Sequence, residues 1–188
     1  MSTNTRMVAF LRAVNVGGRT AKSPQLIQSF HSLGFENVTT FLASGNVLFS
    51  GISKAVPKLR GRIEGQLLAD LGFLTEVILR SMEQVAAIAD LNPFQLTDVE
   101  KESYTVNVAL FLEPPTSAMQ KEVLKLKGDY DDFVFDGSEM YWLCRGAKIS
   151  ASPLFSNNRL AKAASEINTM RNIRTMQRLV AIENKSKR

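Results

Sequence analysis

Apolar positions in this chain recur with two alternating periods, and the alternation predicts its elements. Residues 7–14 form an apolar, β-like run that stops at Asn15-Val16-Gly17-Gly18, where paired glycines predict a loop. Ser23-Pro24 opens a helix, because serine can accept from free backbone N–H groups and proline in the first turn gives up no needed donor. Leu26, Ile27, Phe30 and Leu33 follow at helical spacing, with Gly34 as the stop. Two β-rich runs, 38–43 and 47–49, are parted by Ser44-Gly45-Asn46, a turn-forming tripeptide that predicts a hairpin. Leu59, Ile63, Leu67 and Leu71 repeat every fourth residue and predict a helix over 53–71, ended by Gly72 and followed by a strand over 73–79. The order βαββαβ over residues 6–80 is the ferredoxin-like signature, with helices covering one face of an antiparallel sheet.

The second half starts the same pattern again. Ser81, with Gln84 three residues on, predicts a capping box for a short helix to about residue 91. Asn92-Pro93-Phe94 then begins a polar connector that runs to Ser103. A strand over 104–112 is broken by Glu113-Pro114-Pro115-Thr116, a helix spans 119–126, and runs 133–135 and 140–144 make a hairpin around Asp136-Gly137. Ser152-Pro153 opens a helix through Ala164, and residues 170–182 read as a final amphipathic helix with Ile173, Met176, Leu179 and Val180 on one side. The strand, helix, strand, strand order repeats without any residue-level repeat, and the half closes in helix. The expected protein is α+β, with two ferredoxin-like halves at 1–91 and 104–188, a connector at 92–103, and an extra helix ending the second half.

Composition narrows the setting. A chain of 188 residues, 45% hydrophobic and 22% charged, is ordinary globular material. Its longest apolar stretches fall far short of the roughly 20 residues that span a membrane, and the N-terminus has no basic-then-apolar leader pattern, so a cytoplasmic protein with no membrane partner is expected. A single cysteine, Cys144, cannot form an internal disulfide, and a single histidine, His31, argues against a multi-His metal centre; no metal or cofactor is expected. The net charge of +5 is unevenly spread: residues 144–188 carry ten Lys and Arg against two Asp and Glu. Such a basic quarter attracts small anions or nucleic acid, or is only a solvated face.

Three strings stand in order along the chain: Arg12-Ala13-Val14-Asn15-Val16-Gly17-Gly18, Ser44-Gly45-Asn46-Val47-Leu48-Phe49 and Thr169-Met170-Arg171-Asn172-Ile173-Arg174-Thr175, with Asn92-Pro93-Phe94 between the last two. In that order and separation they resemble the bacterial family called domain of unknown function 1697, over residues 6–182. The family pattern usually has Gly where this chain has Ala13 and Trp where it has Ile173, so pockets bordered by those positions are expected to differ here. The resemblance implies paired ferredoxin-like units and supplies no catalytic residues.

The strings themselves carry the candidate chemistry. Arg12 offers a bidentate fork, Asn15 an amide, and Gly17 and Gly18 a backbone that a phosphate or carboxylate can approach closely beside a helix start. The string is neither a dinucleotide fingerprint nor a phosphate-binding loop of the nucleotide-hydrolase kind, and paired glycines after a strand are very often only a turn. Ser44 and Asn46 are expected as further anion contacts, although Ser44 has no nucleophile-elbow context and hairpin chemistry accounts for Gly45 and Asn46 without a ligand. Thr169 would cap the last helix, leaving Arg171, Asn172 and Thr175 near its first turns, where Arg171 clamps an anion or pairs with a carboxylate. The other singletons have plainer readings: His31 on a helix surface, Cys144 packing beside Trp142, Asp129, Asp131, Asp132 and Asp136 in a solvated loop, Phe133 and Phe135 in the core. The expected partner is thus a small anionic ligand. Nucleic acid is the alternative, and a structural protein whose strings only lock the fold is the third reading.

Overall fold

The computed structural model describes residues 4–42, 45–52, 56–146 and 148–186. They form two compact units: one is the chain up to Ile88 together with the stretch from Leu179, the other Ala89–Arg178. In the first unit β1 (Asn4–Leu11), α1 (Ser23–Ser32), β2 (Glu36–Phe41), β3 (Asn46–Ile52), α2 (Val56–Leu71) and β4 (Val77–Ser81) follow the ferredoxin-like order, and α3 (Met82–Asp90) leaves the last strand. The sheet is antiparallel in the order β2-β3-β1-β4. Odd-numbered Met7, Ala9 and Leu11 of β1 face α1 and α2, packing with Leu26, Phe30, Leu59, Ile63 and Leu67. Phe30, Phe35 and Phe49 meet there with ring centroids 4.6 to 5.9 Å apart.

The second unit contains α4 (Asp98–Ser103), β5 (Thr105–Phe111), α5 (Ser117–Leu124), β6 (Asp131–Asp136), β7 (Glu139–Cys144), α6 (Pro153–Ser156), α7 (Arg159–Ala163), β8 (Asn168–Asn172) and the start of α8 (Ile173–Ser186), whose residues from Leu179 on belong to the first unit. Its sheet has the equivalent order, β6-β7-β5-β8. Ala109, Phe111, Phe133, Met140, Trp142 and Cys144 face Met119, Val123, Leu154 and Leu160. Both units are therefore ferredoxin-like, and a helix ends the chain as expected. Among the described residues, no helix is long and apolar enough to cross a membrane.

Four local expectations are corrected. The connector is partly helical, because Thr97 and Glu100 form a capping box that starts α4. The helix expected over 152–164 is two short ones, since Asn158 adopts a left-handed conformation (φ 56°) between them. At α1 the N-cap is Lys22 rather than Ser23, with the Lys22 N–H donating to Gln25. The last helix starts at Ile173, because residues 168–172 instead complete the sheet on β5. Helical propensity there is outweighed by the ladder bonds that the open edge of β5 offers.

A residue-level repeat also emerges that sequence inspection does not reveal. Leu11 N–H donates to Gly45 O at 2.8 Å and Arg12 N–H to Glu76 O at 2.9 Å; in the second unit Phe111 donates to Ser138 at 2.9 Å and Leu112 to Ile167 at 3.0 Å. Arg80 faces Val8 and Arg171 faces Val108, and each Nη1 donates to the carbonyl of its preceding residue at 2.9 Å. Both arginines are buried.

Candidate functional site

The first and second strings meet at one end of the first sheet. The Leu11–Gly45 backbone bond joins the β1–α1 loop to the β2–β3 turn, where a Cβ on Gly45 would lie 2.3 Å from Val14 Cγ2. Asn46 is buried and donates to Phe41 O at 2.8 Å, closing that turn. Asn15, at φ 58°, accepts from Ala21 N–H at 3.0 Å and pinches the loop shut. Ala13 also has positive φ (56°), a conformation that glycine adopts more readily. Gly17 and Gly18 lie exposed at the loop tip with open space around them. Arg12 pairs with Glu76 at 3.2 Å, both about 40% exposed. Ser44 lies outside the described residues.

The internal repeat separates fold support from anything further at this end. At the positions of Arg12 and Glu76 the second unit carries Leu112 and Ile167, so the turn closes without an ion pair. An exposed pair contributes about 1 kcal/mol or less. The double variant Arg12→Leu, Glu76→Ile is accordingly expected to unfold within about 1 kcal/mol of the parent in a urea titration; a larger loss would make the pair a structural lock.

The third string resolves differently. Arg171 is a strand residue, not a helix one: it is buried, donates to Thr169 Oγ1 at 2.7 Å and to Met170 O, and burial lowers its guanidinium pKa to about 10, so it stays charged at neutral pH. Thr169 therefore does not cap α8. Asn172 does, its Oδ1 accepting from Arg174 N–H at 2.9 Å. Thr175 sits in the first turn of α8, half-buried.

Asn172 borders the cavity that gathers the most chemistry among the described residues. It has a volume of about 720 Å³ and lies within the second unit, between α4, the start of β5, the stretch 148–150 and the start of α8. Asn107 is among its lining residues, placed by register between Trp142 and Asn172 on the helix-covered face of the sheet. Asn107 is 5% exposed, and its Nδ2 is buried away from solvent with no hydrogen-bond partner. The neighbouring Asn172 Oδ1 is already taken by the cap of α8. Exposed Lys101, Lys148 and Arg174 line the opening, with Glu102 as the one carboxylate; Arg174 is steadied by donating to Lys101 O at 3.2 Å. Tyr104, Val106, Ile149 and Ile173 supply the half-buried walls. Arg171 and Thr175 are not among the lining residues.

Of the residues expected to contact an anion, Asn172 borders this cavity; Asn107, Lys101 and Lys148, which also border it, were not among them. A usable signal was present: Asn107 is a lone amide at an inward position of the otherwise apolar run 106–112.

One singleton turns out differently, and Cys144 packs beside Trp142 as expected. Asp131 is buried, not solvated: it accepts from Trp142 Nε1 at 2.6 Å and Ser152 Oγ at 2.9 Å, with Cys144 Sγ at 3.5 Å. Burial first, then the charge of Asp131, pushes the Cys144 thiol up to about 12, which leaves it inert at neutral pH.

The duplicated ferredoxin-like α+β architecture defines the class. Within it, the sequence profile of the family described as "Protein of unknown function (DUF1697)" matches residues 4–141, and the chain belongs to that family. The third string lies beyond the matched residues. Among solved structures, the chain is similar to the conserved bacterial protein SP0830 from Streptococcus pneumoniae, at 19% identity and a TM-score of 0.74 over 96% of this chain and 98% of that one. An unknown protein from Galdieria sulphuraria matches at 13% identity over 90% of this chain and 98% of that one, but its TM-score of 0.26 is too low to speak for a shared fold. A search of the curated proteins returns no match.

Proposed function

We propose that this protein binds a small anionic ligand in the cavity of its second unit. The observation that carries the reading is a cavity of about 720 Å³ whose lining bears Lys101, Lys148 and Arg174 against Glu102 alone. The cations supply the preference for negative charge. Arg12, Asn15, Gly17 and Gly18 are left as an accessory anion contact of the first unit, supported by the absence of the Arg12–Glu76 pair from its internal counterpart. A bacterial, cytoplasmic setting belongs to the same proposal, supported by the likeness to a bacterial protein and by the lone buried thiol.

Asn107→Leu keeps nearly the same shape and removes the unpaired donor, so the free protein should gain about 1–2 kcal/mol, a rise of a few degrees in Tm. Inorganic phosphate should raise the Tm of the parent protein, and lose that effect in the double variant Lys148→Ala, Arg174→Ala. A loss of stability in Asn107→Leu would make the amide structural, and an unchanged Tm with phosphate would remove the anion.

Nucleic-acid binding has one observation in its favour, an open groove of about 920 Å³ between α5 and α7 that carries Lys121, Lys125, Arg159 and Lys162. Glu122 and Glu166 sit among these cations, and none of the described lining residues is aromatic, so bases have no face to stack on. Salt-steep retention on mixed oligonucleotides would promote this reading; no retention at low salt would end it.

A further inference from the structure

We propose that the open groove between α5 and α7 of the second unit docks an acidic, extended segment of a partner protein, about four residues of which lie between two cationic walls. This surface is separate from the cavity argued above and rests on none of its residues.

The internal repeat supplies the first reason. In the first unit α1 and α2 share one core, with Leu26, Phe30, Leu59, Ile63 and Leu67 in it, and α2 is a single helix of 16 residues. α1 holds no Lys or Arg within its bounds. Of the cations of α2, Arg60 lies 4.0 Å from Glu64, Arg62 donates to Leu33 O at 3.2 Å, and only Lys58 makes no ion pair among the described residues. The matching layer of the second unit is broken at left-handed Asn158, and α7 has five residues. Between α5 and this short helix a space of about 920 Å³ stays open.

Charge supplies the second reason. Lys121 and Lys125 wall the groove on the α5 side, Arg159 and Lys162 on the α7 side, and all four are exposed. Both carboxylates among them are engaged: Glu122 with Lys125, and Glu166 in accepting from Thr116 N–H at 3.2 Å and Thr116 Oγ1 at 2.6 Å. Lys121, Arg159 and Lys162 make no ion pair among the described residues. Like charges three or four residues apart on a helix lie about 5–6 Å from each other and repel. Carboxylates arriving between the walls relieve that repulsion.

The spacing selects the occupant. In an extended chain alternate side chains point the same way, about 6.6 Å apart. Carboxylates at i and i+2 therefore match the cation pair on one wall, and those at i+1 and i+3 the pair on the other. The eight residues of α5 span about 12 Å, the length of about four extended residues. Leu126 and Ala163, half-buried, cover the methylene groups of glutamate side chains. Nucleic acid fits less well, since none of the described lining residues is aromatic. The longest acidic run in residues 1–188 is Asp131-Asp132, and Asp131 is buried, so a second copy of these residues does not supply the segment.

Fluorescein-labelled hexaglutamate, titrated by anisotropy against the full-length protein at low salt, tests the groove. Lys121→Gln with Lys162→Gln should weaken binding about tenfold, while Lys101→Gln with Lys148→Gln in the other cavity should change it less than about twofold. Lys121→Glu with Lys162→Glu should instead bind hexalysine, a gain that a misfolded variant would not show. Six glutamates each separated by two glycines should bind at least about fivefold more weakly, because the match to the walls is lost. Absence of binding, equal affinity for the two glutamate peptides, or a larger effect from the Lys101 and Lys148 variant would overturn the proposal. A twelve-residue oligothymidylate that binds more tightly and displaces hexaglutamate would give the groove to nucleic acid instead.

Discussion

Asp131→Ala should lose about 3 kcal/mol of unfolding free energy in a urea titration, the largest single loss expected from a polar site in the second unit. The carboxylate is buried and ties three elements together, accepting from Trp142 on β7, from Ser152 at the cap of α6 and, weakly, from Cys144. Alanine leaves the Trp142 N–H buried without an acceptor, and frees Ser152, whose Oγ accepts from Leu154 N–H at the start of α6. Asp131→Asn should be milder, since its carbonyl oxygen can still accept from Trp142. The thiol gives a second readout. Cys144 is held at about 12 by burial and then by the charge of Asp131, so alanine should bring its pKa down and speed its reaction with a disulfide reagent at pH 8. The sign follows from linkage: between about pH 9, the ordinary thiol value, and 12 the native protein binds more protons than the unfolded chain, so stability falls as pH rises across that window. In the alanine variant that fall should be shallower. An alanine variant as stable as the parent, with an unchanged thiol, would show that the network holds nothing.

Gly45→Ala should cost about 2–4 kcal/mol, from two sources that add. The residue has φ 72°, where a side chain is strained, and its Cβ would meet Val14 Cγ2 at 2.3 Å and Leu11 Cβ at 3.0 Å. Both neighbours are buried and belong to the core that β1 shares with α1 and α2. Neither is the loose end of a long chain that could swing aside. Gly17→Ala serves as the control: φ is 59°, but nothing lies within 4 Å of its Cβ, so only the conformational cost of about 1 kcal/mol remains. Equal losses from the two variants, measured by chemical denaturation, would mean that backbone strain and not contact with Val14 governs the turn.

How far the chain could be read ahead of its structure depended on the range of the interactions involved. Helical spacing of Leu59, Ile63 and Leu67, and the Ser81–Gln84 box, placed α2 and α3 within a few residues, because these signals are complete within a turn or two. The hairpin at Asp136-Gly137 was legible for the same reason, as the turn chemistry lies next to the strands it joins. Residues 170–172 were misread as the first turn of a helix because nothing local makes them a strand; with residues 168 and 169 they pair with β5, some sixty positions earlier. Asp131 looked like one of several solvated carboxylates, and its burial depends on Trp142 and Ser152 arriving from other elements.

The candidate site divides along the same line. Arg12, Asn15 and the glycine pair were visible as a loop with anion chemistry, and Asn172 as part of an Arg- and Asn-rich string. The strings alone could not show that Gly45 seats against Val14, that Arg171 is buried in a strand, or that Asn172 faces Asn107 across two paired strands. Periodicity, caps and turns are properties of neighbours in the chain, and they were enough to establish two ferredoxin-like halves. A cavity is a property of residues that the chain brings together from far apart: Lys101, Asn107, Lys148 and Arg174 share one only because the β5–β8 and β5–β7 registers and the cap of α8 close around the same space.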